Sequence, residues 1–190
     1  MNKEFVRACY QEFDAARLFA DAPMRFHTTF RIGGPADLLF YPKNTEEVQR
    51  IIRMAREYGE KVTLLGNGSN LLVRDGGIRG LVIRFSRTMA ALSREGTDLI
   101  VGAGALLRDA AAFAQENGLA GLEFACGIPG SMGGAIFMNA GAYDGEMKSV
   151  VVSVKTVSPE GEVRLYSAEE MDFGYRHSVF HGCDEAICEA

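Results

Sequence analysis

No run of lysine and arginine occurs in these 190 residues, and the formal charge at pH 7 is −5 with an isoelectric point near 5.3. Phosphate polymers are gripped by clustered cations, so nucleic acid is not an expected partner. No stretch approaches the roughly 18 consecutive apolar residues of a membrane span. Met1 to Phe13 intersperse Lys3, Glu4, Arg7 and Glu12 among apolar residues, unlike a secretory signal. The expectation is a soluble, cytoplasmic protein with no membrane partner. Cysteine is sparse: Cys9, Cys126, Cys183 and Cys188 lie far apart in a chain able to bury about 70% of its unfolded surface without staples, and they read as free thiols. His177, His181, Cys183 and Cys188 are zinc-type ligands, but H-x3-H-x-C-x4-C matches no finger or ribbon spacing, and no metal site is expected. Internal repeats and low-complexity linkers are absent.

Hydrophobic periodicity supplies the elements. Residues 3 to 19 read as an amphipathic helix, with Phe5, Cys9, Phe13 and Ala16 at helical spacing and a break at Asp21-Ala22-Pro23. A strand over Ala36 to Tyr41 leads to a helix capped by Asn44 and boxed by Glu47, with Val48, Ile51, Ile52, Ala55 and Tyr58 on its buried face and Gly59 closing it. A strand over Lys61 to Leu65 completes a βαβ unit that runs straight into Gly66-Asn67-Gly68-Ser69-Asn70. Short strands follow at Leu71 to Val73, Leu81 to Phe85 and Leu99 to Val101, then a helix over Leu106 to Asn117. Val150 to Val157 and Val163 to Tyr166 form a hairpin around Pro159-Glu160-Gly161, Ser167 with Glu170 caps a short helix, and Ala186-Ile187-Cys188 opens a strand. This is an α+β chain, divided near Ser86 to Glu95 into an N-terminal helix (1–20) and two subdomains (21–90 and 91–190).

Glycine is the residue in excess, 22 of 190. Five glycines fall in Gly66 to Gly80 and six in Gly127 to Gly145. Two readings of such loops stand: tight turns with close packing, or backbone N–H groups converging on an anion with help from a helix N-terminus that Ser131 would cap. On the second reading Gly68 and Gly130 resist bulky replacements because a Cβ would enter the space that the backbone needs near the ligand, and valine there should lower ligand affinity more than fold stability. Two phosphate motifs are excluded. Gly66-Asn67-Gly68 and Gly102-Ala103-Gly104 each start a G-x-G-x-x-G but carry Leu71 and Leu107 at the third glycine, and Gly127 to Gly134 lacks the Gly-Lys-Ser/Thr ending of a P-loop.

Four segments, Thr28-Thr29-Phe30-Arg31-Ile32-Gly33-Gly34-Pro35-Ala36, Gly66 to Leu72, Gly127-Ile128-Pro129-Gly130-Ser131-Met132-Gly133-Gly134-Ala135, and Met138-Asn139-Ala140-Gly141-Ala142-Tyr143, occur in order and at matching spacing. Together they resemble the UDP-N-acetylenolpyruvoylglucosamine reductase (MurB) family, and Tyr175-Arg176-His177-Ser178-Val179-Phe180 is similar to its YRxSxF active-site segment. The resemblance covers nearly the whole chain. It implies the two-subdomain FAD-binding fold of the vanillyl-alcohol-oxidase (PCMH) type. It also implies that Gly66, Asn67, Gly68, Ser69, Asn70 and Leu71 face the FAD pyrophosphate, and that Gly127, Ile128, Pro129, Gly130, Ser131, Gly133, Gly134, Asn139, Ala140, Gly141 and Tyr143 lie along the flavin. Small Ala, Gly and Met walls suit a flat ring system, and the loops hold no His or Cys apart from Cys126 at their edge, so FAD is expected to bind non-covalently.

The implied reaction passes hydride from NADPH, by way of the flavin, to the enolpyruvyl double bond of a UDP-sugar, giving UDP-N-acetylmuramate for peptidoglycan. Arg176 is the implied catalytic residue, its guanidinium stabilising charge that develops on the adjacent carboxylate. Tyr175 and Ser178 bind substrate or orient Arg176, or simply satisfy hydrogen bonds, and His177 occupies a variable position with no role. The family's proton-donor serine belongs to a downstream segment resembling GSFFKNP, and its second acid is a late glutamate. Neither is present, so the chain reads as a shortened form, engineered or natural, without the substrate domain. Two other readings stay open: another FAD oxidoreductase of the same superfamily, and a flavin-binding module without activity. Oligomeric state is not legible.

Overall fold

The computed structural model describes residues 1–190. Helix α1 (Lys3–Glu12) starts at Asn2, whose side chain accepts from the Glu4 N–H, and buries Phe5 and Cys9. The expected continuation to residue 19 does not form. Asp14 turns its carboxylate onto the Ala16 N–H and starts a single 3-10 turn, a local bond that competes with helix, and Leu18–Pro23 becomes strand β1. Backbone groups of β1 are satisfied by antiparallel pairing with β2 (Pro35–Phe40), in register Leu18 with Phe40 and Ala22 with Ala36.

Helix α2 (Thr45–Glu57) is capped by Asn44 as its sequence requires, and it buries Val48, Ile51, Ile52 and Ala55. Glu47 does not close the capping box. Its carboxylate instead accepts from the Lys43 N–H and both terminal nitrogens of Arg17, tying α2 to the segment before β1. Burial pushes the Glu47 carboxyl up, but these hydrogen bonds outweigh it and hold it below its ordinary value. Tyr58 sits at the helix end, partly buried, with its ring 5.7 Å from Phe5. Left-handed Gly59 then closes α2, with the Glu60 N–H reaching back to the Ala55 carbonyl.

Strands β3 (Val62–Leu65) and β4 (Ile78–Arg84) complete a sheet ordered β1-β2-β4-β3, in which β2, β4 and β3 are parallel. The βαβ unit therefore brackets β4 rather than pairing its own strands. As a central strand β4 buries Leu81, Val82 and Ile83 alike, with Leu81 and Ile83 in the main core and Val82 in a second cluster on the opposite face. The expected strand at residues 71–73 is absent. That segment packs against residue 33 at such close range that a Cβ on Gly33 would lie 2.8 Å from the Val73 Cβ.

Strands β5 (Leu92–Glu95) and β6 (Asp98–Val101) form a hairpin, and α3 (Leu107–Glu116) ends at left-handed Gly118. A six-residue helix α4 (Met132–Phe137) and the small hairpin β7 (Gly141–Ala142) and β8 (Gly145–Glu146) follow. Strands β9 (Ser153–Val157), β10 (Val163–Ser167) and β11 (Ala186–Glu189) make a sheet ordered β10-β9-β11, joined to β6 through Val101 and Ala190. Strand β9 starts later than expected because the Val150 and Val151 N–H groups turn back onto the Met147 carbonyl. Ser167 and Glu170 form the expected capping box. One core of 33 buried residues runs from Phe5 through Leu81 to Phe180 and Cys188, so elements on both sides of residues 86–95 share it. No helix is long and apolar enough to cross a membrane.

Candidate functional site

The loop Gly66 to Asn70 leaves the carboxyl end of β3, where ligands of parallel sheets commonly bind. No backbone carbonyl of the chain accepts from the N–H groups of Gly66 through Val73. The loop is braced from outside. Asn67 Nδ2 donates to the Pro129 carbonyl at 2.8 Å, and the Gly68 carbonyl accepts from the Thr29 N–H at 3.1 Å. Gly68 is left-handed, φ +68, and a Cβ there would lie 2.2 Å from the His27 carbonyl oxygen. The space a side chain would fill belongs to the protein's own backbone.

A cation lies under the same loop. Arg84 pairs in register with Leu65, meets the His27 ring and Tyr41 hydroxyl, and keeps its buried Nε without a partner. Burial first, then the Arg84 charge, lower the His27 pKa below its ordinary value.

Across from Gly66 stands Ser131, 1% exposed, at the N-cap of α4. Its side chain makes no capping bond, contrary to expectation. The first two N–H groups of α4 are already taken by the Ala105 and Ala103 carbonyls, at 2.8 and 2.9 Å. The third, that of Gly134, meets no carbonyl, so the open donors come from residues 66–73 and from Gly134. Ser131 Oγ is buried without any partner, and a Cβ on Gly66 would come within 2.4 Å of it. Gly130, by contrast, has room: its Cβ would meet only ordinary contacts at 3.7 and 3.8 Å. Cys126 is exposed at the edge of this loop.

At about 1.5 Å per residue, α4 spans roughly 9 Å to a second cluster. There Gly174 and His177 exchange backbone hydrogen bonds, making Tyr175-Arg176 a two-residue turn with Arg176 left-handed at φ +53. Tyr175 is 90% exposed and Tyr143 89%. The Arg176 guanidinium lies over the Tyr175 ring and donates from Nη2 to the Gly141 carbonyl at 3.2 Å. Ser178 is fully buried, with its hydroxyl donating to the Phe137 carbonyl at 2.7 Å, so it faces the protein and not a ligand. Asn139 is likewise buried and its amide is spent on Glu146, Gly174 and Lys148, so its side chain offers no free polar group to a cofactor. His177 and His181 stack with centroids 5.1 Å apart, and His181 stacks on Phe137. An apolar groove of about 360 Å³ between β5–β6 and residues 150–153 reaches the glycine segments only through Met132 and contains no residue of the Arg176 turn.

Residues 36–166 match the family model described as an FAD binding domain. A UDP-N-acetylenolpyruvoylglucosamine reductase of Clostridium perfringens is 46% identical over 187 residues, covering 98% of this chain and 61% of that protein. One of Levilactobacillus brevis is 49% identical, covering 94% of this chain and 58% of that protein. The chain belongs to the UDP-N-acetylenolpyruvoylglucosamine reductase family. It spans about three fifths of the length of these relatives. The crystal structure of the reductase from Thermus caldophilus superposes with a TM-score of 0.75 at 35% identity, over 90% of this chain and 59% of that one. Chitooligosaccharide oxidase, at 17% identity, shares the fold with a TM-score of 0.72 over 97% of this chain and 42% of its own. The fold is therefore the α+β FAD-binding type of the vanillyl-alcohol oxidases, as the reductase motifs imply.

The residues fit the cofactor this family is described by. A pyrophosphate needs donors without competing acceptors, which residues 66–73 supply, and Ser131 Oγ is a buried polar atom awaiting a partner. Sequence reasoning missed the Arg84 cation and the structural use of Asn139. The signal for the latter was present in the residue type, since asparagine is among the few side chains that accept a left-handed backbone, and Asn139 has φ +41.

Proposed function

We propose that this chain is the FAD-binding part of a cytoplasmic, NADPH-using reductase that converts UDP-N-acetylglucosamine enolpyruvate to UDP-N-acetylmuramate in peptidoglycan biosynthesis. Bound FAD would carry hydride from NADPH to the enolpyruvyl carbon. On this reading Gly66, Asn67, Gly68, Ser69, Asn70 and Leu71 hold the pyrophosphate through their backbone, with Ser131 Oγ donating a further bond and Arg84 supplying positive charge beneath. Gly127 to Gly134, Ala140, Gly141 and Tyr143 flank the ring system.

The observation that carries the reading is the placement of Arg176 at the far end of α4 from the open donors, held against the Gly141 carbonyl. An extended dinucleotide running along α4 brings its ring to that end. The guanidinium then meets the carboxylate on which negative charge develops, and a fixed planar donor set stabilises that charge without reorganising. Tyr175, exposed beside it, lines the substrate side. Ser178 cannot protonate the product carbon, because it is buried and bonded to Phe137.

Two measurements test this on the full-length protein that carries the chain. FAD should quench on titration at micromolar concentration and be released by acid precipitation, because binding is non-covalent; yellow colour retained in the pellet overturns the second point. NADPH consumption should require the enolpyruvyl UDP-sugar and yield its lactyl product. Consumption that ignores this sugar and passes electrons to oxygen alone would assign the chain to another oxidoreductase of the fold.

A further inference from the structure

The polar groups around Arg176 are arranged as a clamp, and its centre is Asn139. Asn139 is 1% exposed and left-handed, and all three polar functions of its amide are occupied. One N–H donates to Glu146 Oε2 and the other to the Gly174 carbonyl, each at 2.9 Å, while Oδ1 accepts from the Lys148 N–H at 2.9 Å. Gly174 is the first residue of the turn that presents Tyr175 and Arg176, and its own N–H and carbonyl close that turn with His177. The other leg is pinned one residue past the turn, where Ser178 Oγ donates to the Phe137 carbonyl at 2.7 Å. Both legs thus hang from the few residues that end α4. Gly141, two residues beyond Asn139, supplies the carbonyl on which the guanidinium rests.

We infer that Asn139 is a positioning residue for Arg176: its amide fixes the Gly174 leg, and so the left-handed turn, at the point where the guanidinium must meet substrate. The inference rests on the role proposed above for Arg176. A turn of two exposed residues with a left-handed arginine has little to hold it by itself. Once the Gly174 carbonyl loses its donor, the turn gains alternatives, and misplacing a charge-stabilising group by an ångström costs up to about 100-fold in rate.

Asn139→Asp is the sharpest variant. Aspartate tolerates the left-handed backbone and can still accept from the Lys148 N–H, but a carboxylate has no donor for Gly174 and repels Glu146. In the FAD-loaded full-length protein we expect FAD affinity to stay within about twofold. Flavin reoxidation by the enolpyruvyl sugar should slow by about 10- to 100-fold, and trypsin should cleave after Arg176 faster. Because Asn139 acts through Arg176, adding Asn139→Asp to Arg176→Ala should slow reoxidation no further than Arg176→Ala alone. Ser178→Ala, which releases the opposite leg, should show the same non-additivity and covers the case in which Asn139→Asp folds poorly. Losses that multiply in the double variants, or unchanged tryptic cleavage after Arg176, would overturn the inference. Should Arg176→Ala itself leave reoxidation untouched, the proposed function of Arg176 fails, and faster cleavage in Asn139→Asp would still report the clamp separately.

Discussion

At the start of α4 the chain leaves polar groups open, and at its end it closes every one. Around Gly66 to Val73 the backbone N–H groups meet no carbonyl and Ser131 Oγ is buried unpaired. Around Arg176 the Asn139 amide, the Ser178 hydroxyl and the Gly174 and His177 backbones are all satisfied internally. The difference separates two kinds of binding. A site made of backbone is rigid already and needs only unspent donors. A long, flexible side chain such as arginine must have its turn immobilised before it can act with direction, and buried hydrogen bonds are what immobilise it. The comparison can be broken at either end.

The largest effect is expected at Gly68. Valine there must adopt φ near +68, costing about 1–2 kcal/mol for any residue with a Cβ and more for a β-branched one. Its Cβ must also displace the His27 carbonyl, and overpacking adds about 1–3 kcal/mol. Thermal melting of Gly68→Val should therefore show severe loss of stability before any question of ligand arises. Gly130→Ala should melt like the parent, since its Cβ finds room. If Gly130→Ala nevertheless loses FAD affinity, a ligand passes over that glycine; if Gly68→Val melts normally, the contact with His27 has been misjudged.

Next in size is Arg176. Arg176→Ala should leave reduction by NADPH nearly intact and slow reoxidation by enolpyruvyl substrate by about 10²- to 10³-fold, the usual loss for one preorganised donor at developing charge. Arg176→Lys should recover only part, because an ammonium lacks the planar fork. Stopped-flow absorbance separates the two half-reactions. Equal slowing of both would move Arg176 from charge stabilisation to cofactor binding.

How much of this was legible in the sequence follows the same division. Helix α2, its Asn44 cap, the β9–β10 hairpin and the glycine loops could be read because period and turn chemistry are local. Strand β1 could not: Leu18 and Phe19 continue the apolar residues of the preceding helix and Asp21 with Pro23 reads as its break, and only pairing with β2 makes the segment a strand. The glycines of residues 66–70 and 127–134 mark two loops by composition alone, yet the bonds of individual residues there depend on distant partners. Ser131 has the residue type and position of an N-cap yet makes no capping bond, while Ala103 and Ala105, nearly thirty positions earlier, take the first two N–H groups of α4. Asn139 and Ser178 sit inside motifs that imply ligand contact, and their side chains turn inward. Motif membership marks the candidate site, while long-range hydrogen bonds decide which of its polar side chains are spent inside the protein.

The smallest effect expected is at Ser131, and its value lies in sign. An N-cap serine normally accepts from the helix start, and replacing it by alanine costs about 0.5–2 kcal/mol. Ser131 makes no such bond, and a buried hydroxyl without a partner is itself a penalty of about 1–3 kcal/mol. Ser131→Ala should therefore leave the ligand-free protein no less stable, and at a gain of about 1 kcal/mol its melting temperature would rise by roughly 2–4 °C. FAD affinity should move the opposite way. If Oγ donates to the pyrophosphate, its loss should weaken binding about tenfold, the equivalent of about 1.4 kcal/mol. The stabilisation that FAD confers on the parent should shrink correspondingly in the variant, so that the two melting curves approach or cross as FAD is added. A structural hydroxyl predicts a different pair of results, with the ligand-free melting temperature lowered and affinity unchanged. Differential scanning fluorimetry across an FAD series reads both quantities in one experiment, and a variant that is both less stable and equally avid would remove Ser131 from the binding site.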